Sequence, residues 1–403
     1  MDELKTNVRF TMRSLDLNTE IINNKYLLFV GAGASAPLGL KPTGPFLDML
    51  PKKLDELIQQ GYRKEFGQEN IEKFLSHFYT QAAQHFGVTL PDSEIVLDYL
   101  DFLAEACREL DSLPREFREL AETGGGGDFH RRWNTMFLQI RSYIQKVVVE
   151  HYSRVDGEHA SRIYKPLLQP LCGQGQTLPV FTTNYDWVFE HLAEVSQEDL
   201  YLEDGFESSP LGERWVRDVF DKFRPRQRKS NLVLFKLHGS TSWYRDEVPP
   251  QFIRKFPNPA PELAGSRAVL IYPTQVKVEV IQEEPFYTAY EYLRETMMHT
   301  NLAVIIGFSF RDPVINDTVR HVLTNNEGLK LAIIEPKMND DPGVAFSELL
   351  DKLGIEEQEW KGRLRVIKGK FGDEPFVSEE VARTVQGLDQ WDDLEPWVEG
   401  TTT

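Results

Sequence analysis

The sequence predicts an α/β protein, a Rossmann-like parallel sheet carrying a large helical insertion. Three observations predict it. Short apolar runs ending in glycine or polar turn residues recur along the chain, helical patterns alternate with the later runs, and one long interval shows helical spacing without strand-like runs. An apolar run of about four to eight residues marks a strand buried on both faces, and strands alternating with helices imply crossover connections and therefore parallel pairing.

The first run, YLLFV at residues 26–30, breaks off in Gly31-Ala32-Gly33, so a buried strand meets a tight turn and a helix is expected to follow. Similar runs are LPVFTTN from Leu178, NLVLFKLHG from Asn231, AVLIYPT from Ala268, LAVIIGFS from Leu302, LKLAIIEP from Leu329 and LRVIKG from Leu364, which makes seven candidate strands. Helical patterns over Tyr287 to His299, Pro313 to Leu323 and Ala345 to Leu353 lie between the later ones.

The interval is different. Phe129, Trp133, Phe137, Ile140, Ile144, Val147 and Val148 follow helical spacing, and TGGGGD from Thr123 to Asp128 reads as a joint between two helices, with Asp128 as N-cap. The division that follows assigns residues 1–44 and 173–403 to one α/β domain and residues 45–172 to a helical insertion.

Composition bounds the function. With 45 basic against 63 acidic residues the formal charge is -18, a field that repels phosphate backbones and argues against direct nucleic-acid binding. The densest basic stretch, Phe223 to Lys229, reads as a solvated loop. Cys107 and Cys172 are the only cysteines, too few for a disulfide scaffold or a four-cysteine zinc module, and no metal is expected. No stretch approaches the roughly 18 apolar residues of a membrane span and no signal-peptide pattern opens the chain, so the expectation is a cytoplasmic protein without membrane contact. The acidic tail, with Asp389, Asp392, Asp393, Glu395 and Glu399 around Trp391 and Trp397, reads as a frayed or partner-docking terminus.

Four strand ends carry chemistry. In Gly31-Ala32-Gly33-Ala34-Ser35, glycines would let the backbone approach an anion ahead of a helix N-terminus, although the same turn serves simple strand–helix packing. Thr182-Thr183-Asn184-Tyr185-Asp186 offers an amide that both donates and accepts and a carboxylate that accepts, or alternatively a helix cap. Lys236-Leu237-His238-Gly239-Ser240 sets a histidine at a strand edge before a sharp turn, the setting of a general base near neutral pH. Gly307-Phe308-Ser309-Phe310-Arg311-Asp312-Pro313 is a helix start with Asp312 as N-cap and Pro313 at the first helical position. Glu335, closing LAIIEP, could take ribose hydroxyls.

GAGAS, TTNYD, KLHGS and GFSF, in this order, resemble the phosphate loop, glutamine–asparagine motif, catalytic histidine–glycine and glycine–threonine–serine motif of sirtuins. More narrowly, the chain looks like the divergent prokaryotic sirtuin-like domains of antiphage defence systems, which hydrolyse NAD. The resemblance implies that Gly31, Ala32, Gly33 and Ser35 line the pyrophosphate, that Asn184 orders the nicotinamide ribose and water, and that Asp186 meets the carboxamide. It implies His238 as the base, Gly307 and Ser309 on the adenosine side and Glu335 at its ribose. Thr183 stands in for the usual glutamine, Ala36 to Thr43 lacks the proline–aspartate–phenylalanine–arginine element of sirtuin deacylases, and Trp243 and Tyr244 follow the histidine–glycine pair without a zinc module.

These departures favour NAD hydrolysis over lysine deacylation. The resemblance also implies gating, by homo-oligomerisation or by a partner such as a HerA-type ATPase or an argonaute-like subunit. A protein deacylase, a non-catalytic NAD or ADP-ribose sensor and a structural assembly subunit are the rival readings.

Overall fold

The computed structural model describes residues 17–40, 154–210, 212–246, 249–256, 266–271, 280–336, 340–356, 362–372 and 375–399, together with isolated positions between 80 and 152 and at 338. The strands are β1 (Tyr26–Val30), β2 (Thr177–Thr182), β3 (Leu200–Glu203), β4 (Phe206–Ser209), β5 (Gly212–Trp215), β6 (Ser230–Lys236), β7 (Gly239–Asp246), β8 (Ile253–Lys255), β9 (Ser266–Leu270), β10 (Leu302–Ile306), β11 (Lys330–Ile334), β12 (Leu364–Lys368) and β13 (Trp397–Glu399). The helices are α1 (Thr19–Ile22), α2 (Gly157–Leu168), α3 (Val188–Val195), α4 (Asp218–Asp221), α5 (Phe286–His299), α6 (Pro313–Asn325), α7 (Pro342–Leu353) and α8 (Phe376–Gln386).

Eight strands form one parallel sheet in the order β13-β12-β11-β10-β1-β2-β6-β3. The apolar runs are continuous because both faces of this sheet are covered. Alternate residues divide between the two faces: Leu27, Phe29, Phe181, Phe235 and Ile305 pack with residues of α5, α6 and α7, whereas Leu28, Val30, Val180, Leu234 and Ile306 pack with residues of α2, α3 and α8. Leu27, Leu28 and Phe181 are wholly buried, and burial of each such side chain contributes about 1.5–3 kcal/mol. The Rossmann-like α/β expectation is met.

Particular expectations shift. The run from Ala268 forms β9, which joins a separate antiparallel sheet ordered β4-β5-β8-β7-β9 rather than the parallel one. Strand β7 starts at Gly239, immediately after His238, so no crossover helix intervenes and the chain must leave the parallel sheet. The helix after β1 is a 3₁₀ helix over Ala32–Leu38, containing Pro37 and ended by Gly39 in the left-handed region. Short 3₁₀ turns suit such a connector, and a proline inside a short helix removes one donor.

Helix α2 falls within the interval read as an insertion, yet Ile163, Tyr164, Leu167, Leu168 and Leu171 pack into the sheet's core, which places these residues in the α/β layer. The helical stripe from Phe129 to Val148 and the Thr123 to Asp128 joint lie outside the described residues. The acidic tail is not frayed over its described part: β13 pairs in parallel with β12, and Trp391 is buried against the sheet. Its two tryptophans supply the apolar anchor that its carboxylates lack. Among the described residues no helix is long and apolar enough to cross a membrane.

Candidate functional site

The order β10-β1-β2-β6 sets four parallel strands side by side, so their C-terminal ends leave along one edge. On one flank of β1 lie β2, β6 and β3, the parallel strands that follow it in the chain, and on the other lies β10, formed only after the second sheet. An open α/β sheet keeps its ligand crevice beyond the strand ends at such a reversal. Gly307, Gly31, Asn184 and His238 follow these four strands. Thr182 of β2 faces Lys236 of β6 in the register, and Asn184 and His238 each stand two residues beyond that pair.

The loops after β1 and β10 touch through their backbones. The Gly31 amide donates to the Ile306 carbonyl at 2.8 Å and the Gly33 amide to the Gly307 carbonyl at 2.9 Å. A Cβ on Gly31 would lie 2.5 Å from the Gly307 oxygen, and one on Gly307, whose φ is +63°, would lie 2.3 Å from the Ala34 nitrogen. The glycines therefore serve close packing of two loops, the alternative already legible in the sequence. The Ala34 amide also bonds within the protein, to the Gly31 carbonyl at 3.0 Å. The Gly33 and Ala34 amides are thus both engaged within the protein.

Asn184 joins these loops to the β2 end. Its side-chain amide donates to the Gly31 carbonyl at 3.0 Å and to Ser35 Oγ at 2.9 Å, and Ser35 in turn donates to Asp186 Oδ2 at 2.6 Å. Asp186 Oδ1 accepts from the Val188 amide at 3.2 Å, so the helix-cap and ligand-site readings of this motif coexist. Asn184 is 6% exposed, and among the described residues its Oδ1 has no hydrogen-bond partner. A buried acceptor left without a donor costs about 1–3 kcal/mol, which a ligand hydroxyl or a water would recover.

Beneath this relay lies a charge group to which the sequence reading gave no role. Lys236 forms an ion pair with Glu190 Oε1 at 2.8 Å, with side chains 1% and 8% exposed. It also donates to the main-chain carbonyl of Asp186 and to Ser240 Oγ at 3.2 Å. Burial pushes the carboxyls of Asp186 and Glu190 up, and the Lys236 ammonium pulls both back. The available signal was a lysine closing the apolar run NLVLF, since a charge inside a strand buried on both faces requires a partner.

His238 stands at the turn between β6 and β7. Its Nε2 is 3.0 Å from Asp312 Oδ2, and both side chains are buried. Gly239, at φ +86°, permits the turn, because a Cβ there would meet the Val269 carbonyl oxygen at 2.1 Å. Asp312 caps α6 as read from the sequence, its Oδ1 accepting from the Val314 and Ile315 amides at 3.0 and 3.2 Å.

The remaining candidates sit on the same edge with looser ties. Thr183 is half-buried and donates its amide to the Val30 carbonyl at 3.2 Å. Ala32 is half-buried on the first turn. Ser309 is exposed between buried Phe308 and Phe310, and Glu335 is half-buried at the end of β11, one strand beyond β10. Ser35, Asn184 and Asp186 are brought together by direct bonds, with Gly31, Gly33 and Gly307 behind them. Among the described residues no group of three or more His, Cys, Asp or Glu side chains could hold a metal.

A family model for the SIR2-like domain matches residues 179–356. No curated protein matches the sequence. Among solved structures, a mutant Sir2 homologue in complex with ADP-ribose is similar at 13% identity and a TM-score of 0.39, with 92% of this chain and 96% of that chain covered. A Sir2 homologue in complex with NAD is similar at 14% identity and a TM-score of 0.38, with 92% and 93% covered. The matched segment contains TTNYD, KLHGS and GFSF, the motifs gathered along the edge of the sheet, and is similar to the SIR2-like domain over those residues.

Proposed function

We propose that the chain binds NAD across this edge and hydrolyses it to nicotinamide and ADP-ribose. The observation that carries the reading is Asn184: buried, held at its amide nitrogen by Gly31 and Ser35, and left with an unpartnered Oδ1 at the end of the strand beside the one that leads to His238. A fixed acceptor of this kind suits a ribose hydroxyl or an attacking water.

In the proposed reaction the bond between ribose C1′ and the nicotinamide nitrogen breaks, and its electron pair leaves with nicotinamide. A water oxygen bonds to C1′, and its proton passes to His238. Asn184 orients ribose and water, while Asp186 and Ser35 hold Asn184 in place. Orientation and general-base catalysis are each worth about 10²-fold or more.

The departures from sirtuin deacylases favour water as the acceptor: two cysteines in the whole chain cannot build the four-thiolate module, and β7 begins at the glycine of the histidine–glycine pair. Unrestrained cleavage would exhaust the cell's NAD. We therefore propose gating by self-assembly or by a partner subunit, with an ATPase or an argonaute-like protein as candidates, in a cytoplasmic antiphage role.

Incubating purified protein with NAD, with and without co-expressed genomic neighbours, and resolving products by chromatography tests the reading. Nicotinamide and ADP-ribose are expected in equal amounts, falling about 10²-fold or more in Asn184→Ala and in His238→Ala. Product undiminished in both variants would sink the mechanism. Nicotinamide released only with an acylated peptide would establish a deacylase, and saturable NAD binding without turnover under every trigger would establish a sensor.

A further inference from the structure

Asp312 both caps α6 and reaches His238. We propose that it is also the positioning residue for His238, fixing the ring's orientation and tautomer so that Nδ1 is the basic nitrogen. The inference rests on the NAD-cleavage reading for its catalytic consequence, and on geometry alone for the tautomer.

The two oxygens of Asp312 have separate tasks. Oδ1 accepts from the Val314 and Ile315 amides at the start of α6, which fixes the carboxylate against the helix N-terminus, while Oδ2 lies 3.0 Å from His238 Nε2. Helix amides and the helix dipole both favour the ionised form. An ionised carboxylate can only accept, so a ring proton belongs on Nε2, and in the neutral imidazole the lone pair is then on Nδ1. A buried carboxylate holding one imidazole nitrogen is the arrangement that sets tautomer and supports the imidazolium formed when the other nitrogen takes a proton.

Position strengthens the case. His238 follows β6 and Asp312 follows β10, two strands that are not neighbours in the sheet, since β1 and β2 lie between them. A helix cap alone needs no partner from β6. Seventy-four residues separate the pair, so the contact is a product of the fold and not of local sequence.

Asp312→Asn separates capping from positioning. Asparagine caps helices about as well as aspartate, so α6 should keep its start. Its side-chain amide, however, presents a donor to Nε2 where the carboxylate accepted, and the neutral ring should then move its proton to Nδ1.

Two measurements decide. Long-range ¹H–¹⁵N spectra of the labelled full chain, with the His238 signals assigned by their loss in His238→Gln, should show the proton on Nε2 in the wild type and on Nδ1 in Asp312→Asn. Under activating conditions kcat should fall about 10²- to 10⁴-fold in Asp312→Asn, with KM changed only a few-fold and the melting temperature held within a few degrees. A wild-type ring protonated on Nδ1, or a kcat in Asp312→Asn equal to wild type, overturns the proposal. If the wild type turns over no NAD under any trigger, the cleavage reading fails by itself and the spectra still decide what Asp312 does to His238.

Discussion

Lys236→Met should destabilise the folded chain by about 3–5 kcal/mol, measured by urea denaturation at pH 8, because it strands the Glu190 carboxylate without its cation. Adding Glu190→Leu should restore most of that loss, since a buried ion pair and an apolar pair of similar volume are often close to equal in stability. The loss should also depend on pH, in a direction set by burial. Asp186 and Glu190 have folded pKa values raised by desolvation, so between the ordinary carboxylate range and those raised values the folded state holds protons that the unfolded state has lost. Their contribution is fully favourable at acid pH and declines as pH rises through the raised values. Removing Lys236 takes away the charge that pulls both carboxyls back, so the variant should lose less stability at pH 5 than at pH 8. An equal loss at both values would mean that these carboxyls do not titrate in that window.

Gly307→Ala should disturb both stability and the site. The new Cβ meets the Ala34 nitrogen at 2.3 Å while φ stays at +63°, so overpacking and left-handed strain add to about 2–4 kcal/mol. Gly31→Ala meets the Gly307 oxygen at 2.5 Å but has extended backbone at φ -104°, so it should cost less, about 1–3 kcal/mol. Either change pushes apart the loops after β1 and β10 by about an ångström, and a misplacement of that size costs on the order of 10²-fold in rate. Wild-type denaturation curves for Gly307→Ala would show that these loops do not meet as described.

The parallel sheet was legible because strands buried on both faces leave continuous apolar runs, and six of the seven runs supply six of its eight strands. The seventh looked alike but entered the antiparallel sheet, since an apolar run records burial and not its partner strand. Strand β3 was missed: LYLE is short and half-buried at the sheet's edge, with too little apolar pattern to stand out. In the site, Ser35, Asn184, Asp186 and His238 were legible as polar residues at strand ends. Lys236 lay inside the same motifs without a role, and Asp312 with only that of a helix cap, because the further contact each makes depends on a residue far away in sequence. Glu190, on the helix after TTNYD, gave no signal at all until its charge met Lys236.

The central claim is that loops from four adjacent strands form one dinucleotide site. Titrating ADP-ribose into ¹⁵N-labelled full chain, while following the Asn184 side-chain amide and the His238 imidazole, tests it without any activator. Both signals should shift together and saturate at a single Kd. A shift in one without the other, or two different Kd values, would place these residues in separate sites and contradict the account.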